Sequence, residues 1–320
     1  MRTRVFFFIF LIMSIATTDA QPVKQHGKLK VSGTQLTDQY NKAVVLRGMS
    51  FGWHNWWPRF YNKESVDWLA TDWKCNVVRA AMGIEPAGAY LTNPELATQK
   101  IESVIEGAIQ SGIYVIVDWH SHDINTKEAK EFFTRIAKKY GQYPNLIYEI
   151  FNEPDEESWK DVKNYSEDLI ATIRAIDPDN IILVGSPHWD QDIHIVAADP
   201  IKNVSNIMYT VHFYAATHKQ YLRDRTDAAI KKGIPVFISE SAGMEATGDG
   251  PINEAEWENW INWCEERKVS WIVWSVSDKD ETCSILEKSA SSTGGWKDSD
   301  LKLSGIKARE FIRKFNQGNE

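Results

Sequence analysis

The sequence predicts an α/β protein: one (β/α)8 TIM-barrel domain. Three observations lead there. Eight short runs rich in β-branched and aromatic residues recur between residues 44 and 278, and segments with helical spacing separate them. The runs are apolar almost throughout rather than alternating, which marks strands covered on both faces, as parallel strands flanked by helices are. A chain of 320 residues suits one barrel, whose usual size is about 250 residues. No GxGxxG follows the first run, so an open doubly wound sheet is the poorer reading.

The elements follow in order. Arg2 and Arg4 precede an apolar run from Val5 to Met13, and Thr18-Asp19-Ala20 closes on small residues. That pattern predicts a secretory signal over residues 1–20, because the run falls short of the ~20 apolar residues a membrane span needs. The remainder, 21–320, is read as the catalytic barrel. "KLKVSGTQLTDQYNKAVVL" (28–46) alternates around turn residues and predicts a hairpin that closes the barrel bottom. The strands are expected at 44–51, 77–82, 114–120, 145–154, 181–187, 207–214, 235–241 and 269–278. A helix should start near Asn93-Pro94 and stop at Gly112, the usual order of start and stop signals. Others should end at Gly141 and Gly233, and Trp257, Trp260, Ile261 and Cys264 form an i, i+3, i+4, i+7 stripe.

Composition limits the function. The chain carries a formal charge of −8 and has no Lys/Arg cluster, which disfavours nucleic acid or an anionic membrane as partner. Cys75, Cys264 and Cys283 are too few for a disulfide scaffold and lack metal-ligand spacing, so they are expected as small buried hydrophobes.

In such barrels reacting groups project from the C-terminal strand ends. The polar residues there are Arg79, His120, Asn152 with Glu153, His212 with Tyr214, Glu240, and Trp274. Glu153 and Glu240 would close strands four and seven and face each other across one mouth. Two facing carboxyl groups suit glycosidic hydrolysis, one protonating the leaving oxygen and the other attacking the anomeric carbon. Of the fourteen tryptophans, those at 68, 73, 257, 260 and 263 lie in helical stretches and read as packing. Those at 53, 56, 57, 189, 274 and 296 lie in loops or at strand ends, where a flat ring can stack on a sugar.

The whole set resembles glycoside hydrolase family 5, and within it the bacterial-type endo-β-1,4-glucanases. The resemblance runs through "LRGMS" (46–50), "DWKCNVVRAAM" (72–82), "VIVDWH" (115–120), "YEIFNEP" (148–154), "HWDQDIH" (188–194), "YTVHFYAATH" (209–218) and "WSVSDKDE" (274–281). It implies that Glu153 is the acid/base and Glu240 the nucleophile. It further implies that Asn152 binds the sugar 2-hydroxyl, Arg79 keeps Glu240 ionised and Tyr214 donates to Glu240. His120 and His212 would line the reacting subsite, with Trp274 beneath the sugar. Lys279 and Glu281 would hold hydroxyls on the non-reducing side, Trp189 would form a platform on the leaving-group side, and Trp56-Trp57 an aromatic pair beyond the reacting sugar. Ala246 and Thr247 fall in a matching segment of the binding site. The sequence departs from the family where Ser241-Ala242-Gly243 follow Glu240, where Gly52 replaces a frequent His, and where Gly83 replaces a frequent Tyr.

The implied protein is a secreted, monomeric, retaining endoglucanase acting on cellulose or related β-glucans, without metal or organic cofactor. A β-mannanase or xylanase on the same barrel stays open. A metal-dependent barrel hydrolase using His120, His122, His188, His212 and Asp278 is the rival chemistry. A barrel that only binds glycans is the rival without chemistry.

Overall fold

The computed structural model describes residues 21–317, and the expected signal segment at 1–20 lies outside them. Eight parallel strands close into a barrel: β1 (Arg47–Phe51), β2 (Val77–Gly83), β3 (Tyr114–His120), β4 (Leu146–Glu149), β5 (Ile182–Val184), β6 (Ile207–Tyr214), β7 (Val236–Ala242) and β8 (Trp271–Val276). Each pairs with the next, and β8 pairs with β1 to complete the ring. The helices between them are α1 (Lys63–Thr71), α2 (Pro94–Ser111), α3 (Thr126–Tyr140), α4 (Trp159–Arg174), α5 (Ile193–Val196), α6 (Gln220–Lys231), α7 (Glu254–Arg267) and α8 (Leu303–Gln317). The fifth helix is reduced to a single turn.

Local chemistry explains the boundaries. Asn93 Oδ1 accepts the Leu96 N–H at the head of α2, Pro94 takes the first helical position, and Gly112 ends the helix in the left-handed conformation. Ser158 and Asn253 cap α4 and α7 in the same way.

Alternation sorts each strand into two faces. Val78, Ala80 and Met82 of β2, and Val115, Val117 and Trp119 of β3, pack outward against the helices in the main core. Their neighbours Val77, Tyr114 and Ile116 point into the barrel and form a second, basal core with Ile147, Leu183, Met208, Phe237 and Ile272. Leu29 and Leu36 of the N-terminal hairpin (Lys30–Ser32 with Gln35–Thr37) join this basal core. The hairpin is tied down by Val31 N–H to Asn206 Oδ1 (3.0 Å) and by Gln35 Nε2 to the Arg267 carbonyl (3.1 Å). It plugs the bottom, as its alternation predicts. Higher up, the same inward positions become polar, and the site begins there.

Some expectations shift. Strand four stops at Glu149, so Asn152 and Glu153 stand on the loop beyond it rather than on the strand. Arg79 is the third residue of β2 and lies inside the barrel instead of at its rim. Trp296, grouped with the loop tryptophans, is buried and donates its indole N–H to the Ser291 carbonyl, packing edge-on against Phe60 and Trp73. All three cysteines are free and buried.

Gly48 sets how closely β1 and β2 approach. A Cβ there would stand 1.8 Å from the Val77 carbonyl oxygen, a backbone atom that cannot move aside. Gly48→Ala is expected to lower unfolding free energy by about 3 kcal/mol or more, read by denaturant titration monitored through tryptophan fluorescence.

Candidate active site

The centre of the mouth is Arg79, fully buried. Its guanidinium bonds Glu149 through Nε (2.7 Å), Asn152 Oδ1 through Nη2 (2.6 Å) and Glu240 Oε2 through Nη1 (3.0 Å). Asp118 Oδ2 lies 3.0 Å from Nη2. Burial opposes the charge, but Asp118, Glu149 and Glu240 outweigh it, so Arg79 is held well above its ordinary pKa. Five planar donors in a fixed fork serve several strands at once.

Glu240 receives a second hydrogen bond from the Tyr214 hydroxyl at 2.7 Å. Strand alternation alone would point it outward, because Phe237 is inward-facing. The pairing of β6 with β7 slips here: Thr210 faces Phe237, but His212 faces Glu240. This bulge inserts one residue on β7, so both Ser239 and Glu240 reach the interior, as bulges beside sites do.

Glu153 is held from the other side. His212 Nδ1 lies 2.8 Å from Glu153 Oε1, and its Nε2 lies 2.9 Å from Ser239 Oγ and 3.2 Å from Asp190 Oδ2. His188, Trp189 and Asp190 all have positive φ (61°, 52° and 57°), a conformation L-residues adopt at a cost of roughly 1–2 kcal/mol each. The turn sends Trp189 outward, 40% exposed, and Asp190 inward with no exposure.

One carboxylate oxygen of Glu153, one of Glu240 and a ring nitrogen of His212 lie within 4.8 Å of one another. Burial and the Glu153 charge push Glu240 above the ordinary glutamate value. Burial also opposes ionisation of Glu153, yet the hydrogen bond and charge of His212 outweigh it and hold Glu153 below. Burial works against charged His212 too, but Asp190, Glu149 and Glu153 raise it well above the usual imidazole value. His120 goes the other way: burial and Arg79 drive it far down, so it is neutral. Its Nδ1 shares a hydrogen bond with Asp118 Oδ2 at 2.6 Å, and its ring stacks on Trp274 at 5.1 Å.

A cleft of about 190 Å³ opens over these groups. Of the residues singled out in the sequence, His120, Glu153, Tyr214, Glu240, Trp274, Lys279, Glu281, Trp56, Trp57, Ala246 and Thr247 line it. Arg79, Asn152 and His212 sit behind the carboxylates, and Asn152 Nδ2 is buried without a partner. Trp189 stands apart on the rim. Lys279 and Glu281 pair at 2.9 Å, and Lys302 donates to both of their carbonyls from below.

Asp118, Glu149, Asp190 and Ser239 are the supporting residues that sequence reasoning passed over. Trp53, read only as one of the loop tryptophans, also lines the cleft, edge-on to His120 at 4.5 Å. Its ring explains Gly83, where a Cβ would meet Trp53 at 2.6 Å and Asn55 at 2.5 Å. Gly52 likewise leaves room for Trp57, 2.9 Å from where its Cβ would be.

The residues of the metal reading do not converge. His188 is exposed beside Asp192, and Asp278 is paired with Arg59 at 2.8 Å. Among the described residues the close set is Glu153, His212 and Glu240, whose atoms already share hydrogen bonds with Arg79, Tyr214, Ser239 and one another.

Residues 37–280 match the family model described as Cellulase (glycosyl hydrolase family 5). An endoglucanase of Clostridium saccharobutylicum is 41% identical over 97% of this chain and 70% of its own length, and Endoglucanase 5 of Pectobacterium carotovorum is 41% identical over 94% and 60%. The chain thus spans about 60 to 70% of the length of these relatives. A structure from Cytophaga hutchinsonii superposes with a TM-score of 0.91 at 44% identity, covering 93% of this chain and 98% of that one. A variant of the Thermobifida fusca endoglucanase catalytic domain, in complex with cellotetraose, superposes at 0.87 with 36% identity, covering 92% and 99%.

The geometry around Arg79 makes its own prediction. Arg79→Met would strand Asp118, Glu149 and Glu240 without their cation, and breaking a buried pair from one side costs about 3–5 kcal/mol. Urea unfolding of the variant should show that loss at pH 7, and a smaller one at pH 5, where the stranded carboxyls take up protons more readily.

Proposed function

The chain belongs to glycosyl hydrolase family 5 and is a glycoside hydrolase, and on that premise we propose a secreted endo-β-1,4-glucanase that cleaves internal bonds of cellulose or related β-glucans with retention. The observation that carries the reading is the approach of Glu153 and Glu240, with one oxygen of each within 4.8 Å. A separation of about 5–5.5 Å suits a carboxylate that itself attacks, whereas an inverting pair needs roughly 6.5–9.5 Å to admit water. The cellotetraose seated in the Thermobifida relative supports a β-glucan as the ligand of this cleft. Secretion rests on the N-terminal pattern of residues 1–20.

Glu240 attacks the anomeric carbon while Glu153 protonates the departing oxygen, giving a glycosyl ester and a shortened chain. Arg79 and Tyr214 donate to the attacking carboxylate and fix its angle. Asn152, with its amide N–H₂ unpaired and its oxygen held by Arg79, is set to bind the 2-hydroxyl of the reacting sugar, a contact that strengthens toward the transition state. Trp274 offers its face to the ring, and Lys279 with Glu281 takes hydroxyls farther along. Water then attacks the ester as Glu153 receives its proton. Once Glu240 is an ester it no longer repels charge on Glu153, whose pKa falls as the second step requires.

The reactive state is the pair with one proton. The rate should rise as the first proton leaves the pair and fall as the second leaves. A bell-shaped kcat/KM profile is expected, and one flat from about pH 4 to 9 would count against the pair. The decisive experiment compares wild type with Glu240→Gln on carboxymethylcellulose and glucomannan, following viscosity and reducing ends. Rapid viscosity loss on the cellulose derivative, reduced by at least about 10³-fold in the variant, is expected. Cleavage of glucomannan alone would redirect the assignment to a mannanase, and activity indifferent to Glu240→Gln would overturn the site.

A further inference from the structure

We propose that Asp190 is a positioning residue for the acid/base, acting through His212 to decide which ring nitrogen carries the proton that faces Glu153. The inference rests on the reading of Glu153 given above. Its starting point is a buried carboxylate that the chemistry leaves unused. Asp190 Oδ1 accepts the Ser186 N–H at 2.5 Å, the Thr210 hydroxyl acts on the same carboxyl, and Oδ2 lies 3.2 Å from His212 Nε2. A strained left-handed turn of three non-glycine residues carries it inward, and such strain persists where the surroundings hold it in place.

The groups facing His212 come from several elements. Glu153 on the loop after β4 meets Nδ1 at 2.8 Å, and Ser239 on β7 meets Nε2 at 2.9 Å. Glu149 on β4 stands 3.8 Å from Nε2. His122 stands 3.9 Å from Glu153, and Arg79, Asp118, His120, His218 and Glu240 act on His212 or on Glu153 from farther away. Asp190, Glu149 and Glu153 all draw the proton onto His212, and burial raises Asp190 itself while the His212 charge works the other way.

The ring chemistry turns this into a role. When Glu153 is the acid, its hydroxyl can donate to Nδ1 only if the neutral ring carries its hydrogen on Nε2. An acceptor at Nε2 sustains that tautomer, and the Asp190 carboxylate is one. When Glu153 is ionised, the imidazolium donates from both nitrogens, and Asp190 balances the extra charge. Ser239 alone cannot enforce either state, because a hydroxyl both donates and accepts.

Asp190→Asn inverts the arrangement. The amide oxygen keeps the Ser186 N–H, so the amide nitrogen falls beside Nε2 and donates to it. The neutral ring must then carry its hydrogen on Nδ1, which donates permanently to Glu153 and depletes the protonated acid. The test compares wild type, Asp190→Asn and Glu153→Gln on two aryl β-cellobiosides under kcat/KM conditions. One has a 4-methylphenol leaving group that needs protonation, and the other a 2,4-dinitrophenol that does not. Asp190→Asn should lose about tenfold on the first and under twofold on the second, a fraction of the 10²–10⁴ that general acid catalysis supplies. Its descending pH limb should move about one unit lower, consistent with such a tenfold change. Equal losses on both substrates, or an unmoved limb, would make Asp190 a packing residue and overturn the proposal. Thermal unfolding checks the fold of each variant. If Asp190→Asn does not fold, Asp190→Ser, which withdraws the acceptor without adding a donor, is judged by the same selective loss. Glu153→Gln guards the premise: if it shows no dependence on leaving group, the acid/base reading fails first and this proposal with it.

Discussion

One guanidinium organises the mouth of this barrel. Arg79 is contributed by β2, yet its contacts reach β3, β4, the loop beyond β4, and β7. A charge with no solvent exposure is tolerable only when every donor finds an acceptor, and that demand fixes four neighbours in place. Asp118 then holds His120, and His120 stacks on Trp274. Asn152 has its oxygen claimed, which leaves its buried amide nitrogen without a partner behind the carboxylates. The orientation of the mouth therefore follows from satisfying Arg79, layered above an apolar base that needs no such arrangement.

The electrostatics are uneven by construction. Asp118, Glu149, Asp190, Glu153 and Glu240 converge on two buried cationic side chains, Arg79 and His212, with the His122 ring 3.9 Å from Glu153 at the edge. Five carboxyls against two cations cannot all ionise, so protons must reside among them, and small shifts move a proton from one group to another. That is a useful property where one carboxyl must give a proton and later take one. It also means that the supporting residues contribute to chemistry without touching a sugar.

Much of this was legible in the sequence, and the exceptions share a cause. Apolar runs, a proline-to-glycine helix span and strand-end polar residues carried the barrel and most of the cleft. Glu149 and Asp118 were hidden inside runs read as strand filling, although inward alternation from Ile147 and Ile116 would have placed them. Ser239 and Glu240 both face inward only because of a bulge, and a bulge has no letter of its own. Asp190 depends on a left-handed turn without glycine, which no local propensity signals. Trp296 misled in the opposite sense: its loop position suggested exposure, but Phe60 and Trp73 bury it. The structure thus departs from pattern where backbone irregularity re-aims a side chain, and two of those places flank the glutamate pair.

The seam of the barrel has a further consequence. Strand β1 meets its second neighbour, β8, only after more than two hundred intervening residues, and the join is fastened from outside. Arg47 grips Glu265 with two bonds of 2.6 Å and reaches Asn316 on α8 at 2.9 Å, while Trp271 donates to the same Glu265. Contacts so distant along the chain form late, because closing the intervening loop must be offset before they stabilise anything. Until then the nascent sheet has two unpaired rims of amide and carbonyl groups, ready to pair with another chain. A fault in the last unit would therefore leave an open, self-associating sheet rather than a slightly weaker barrel. Yield and solubility during synthesis would register it before any assay of the cleft could.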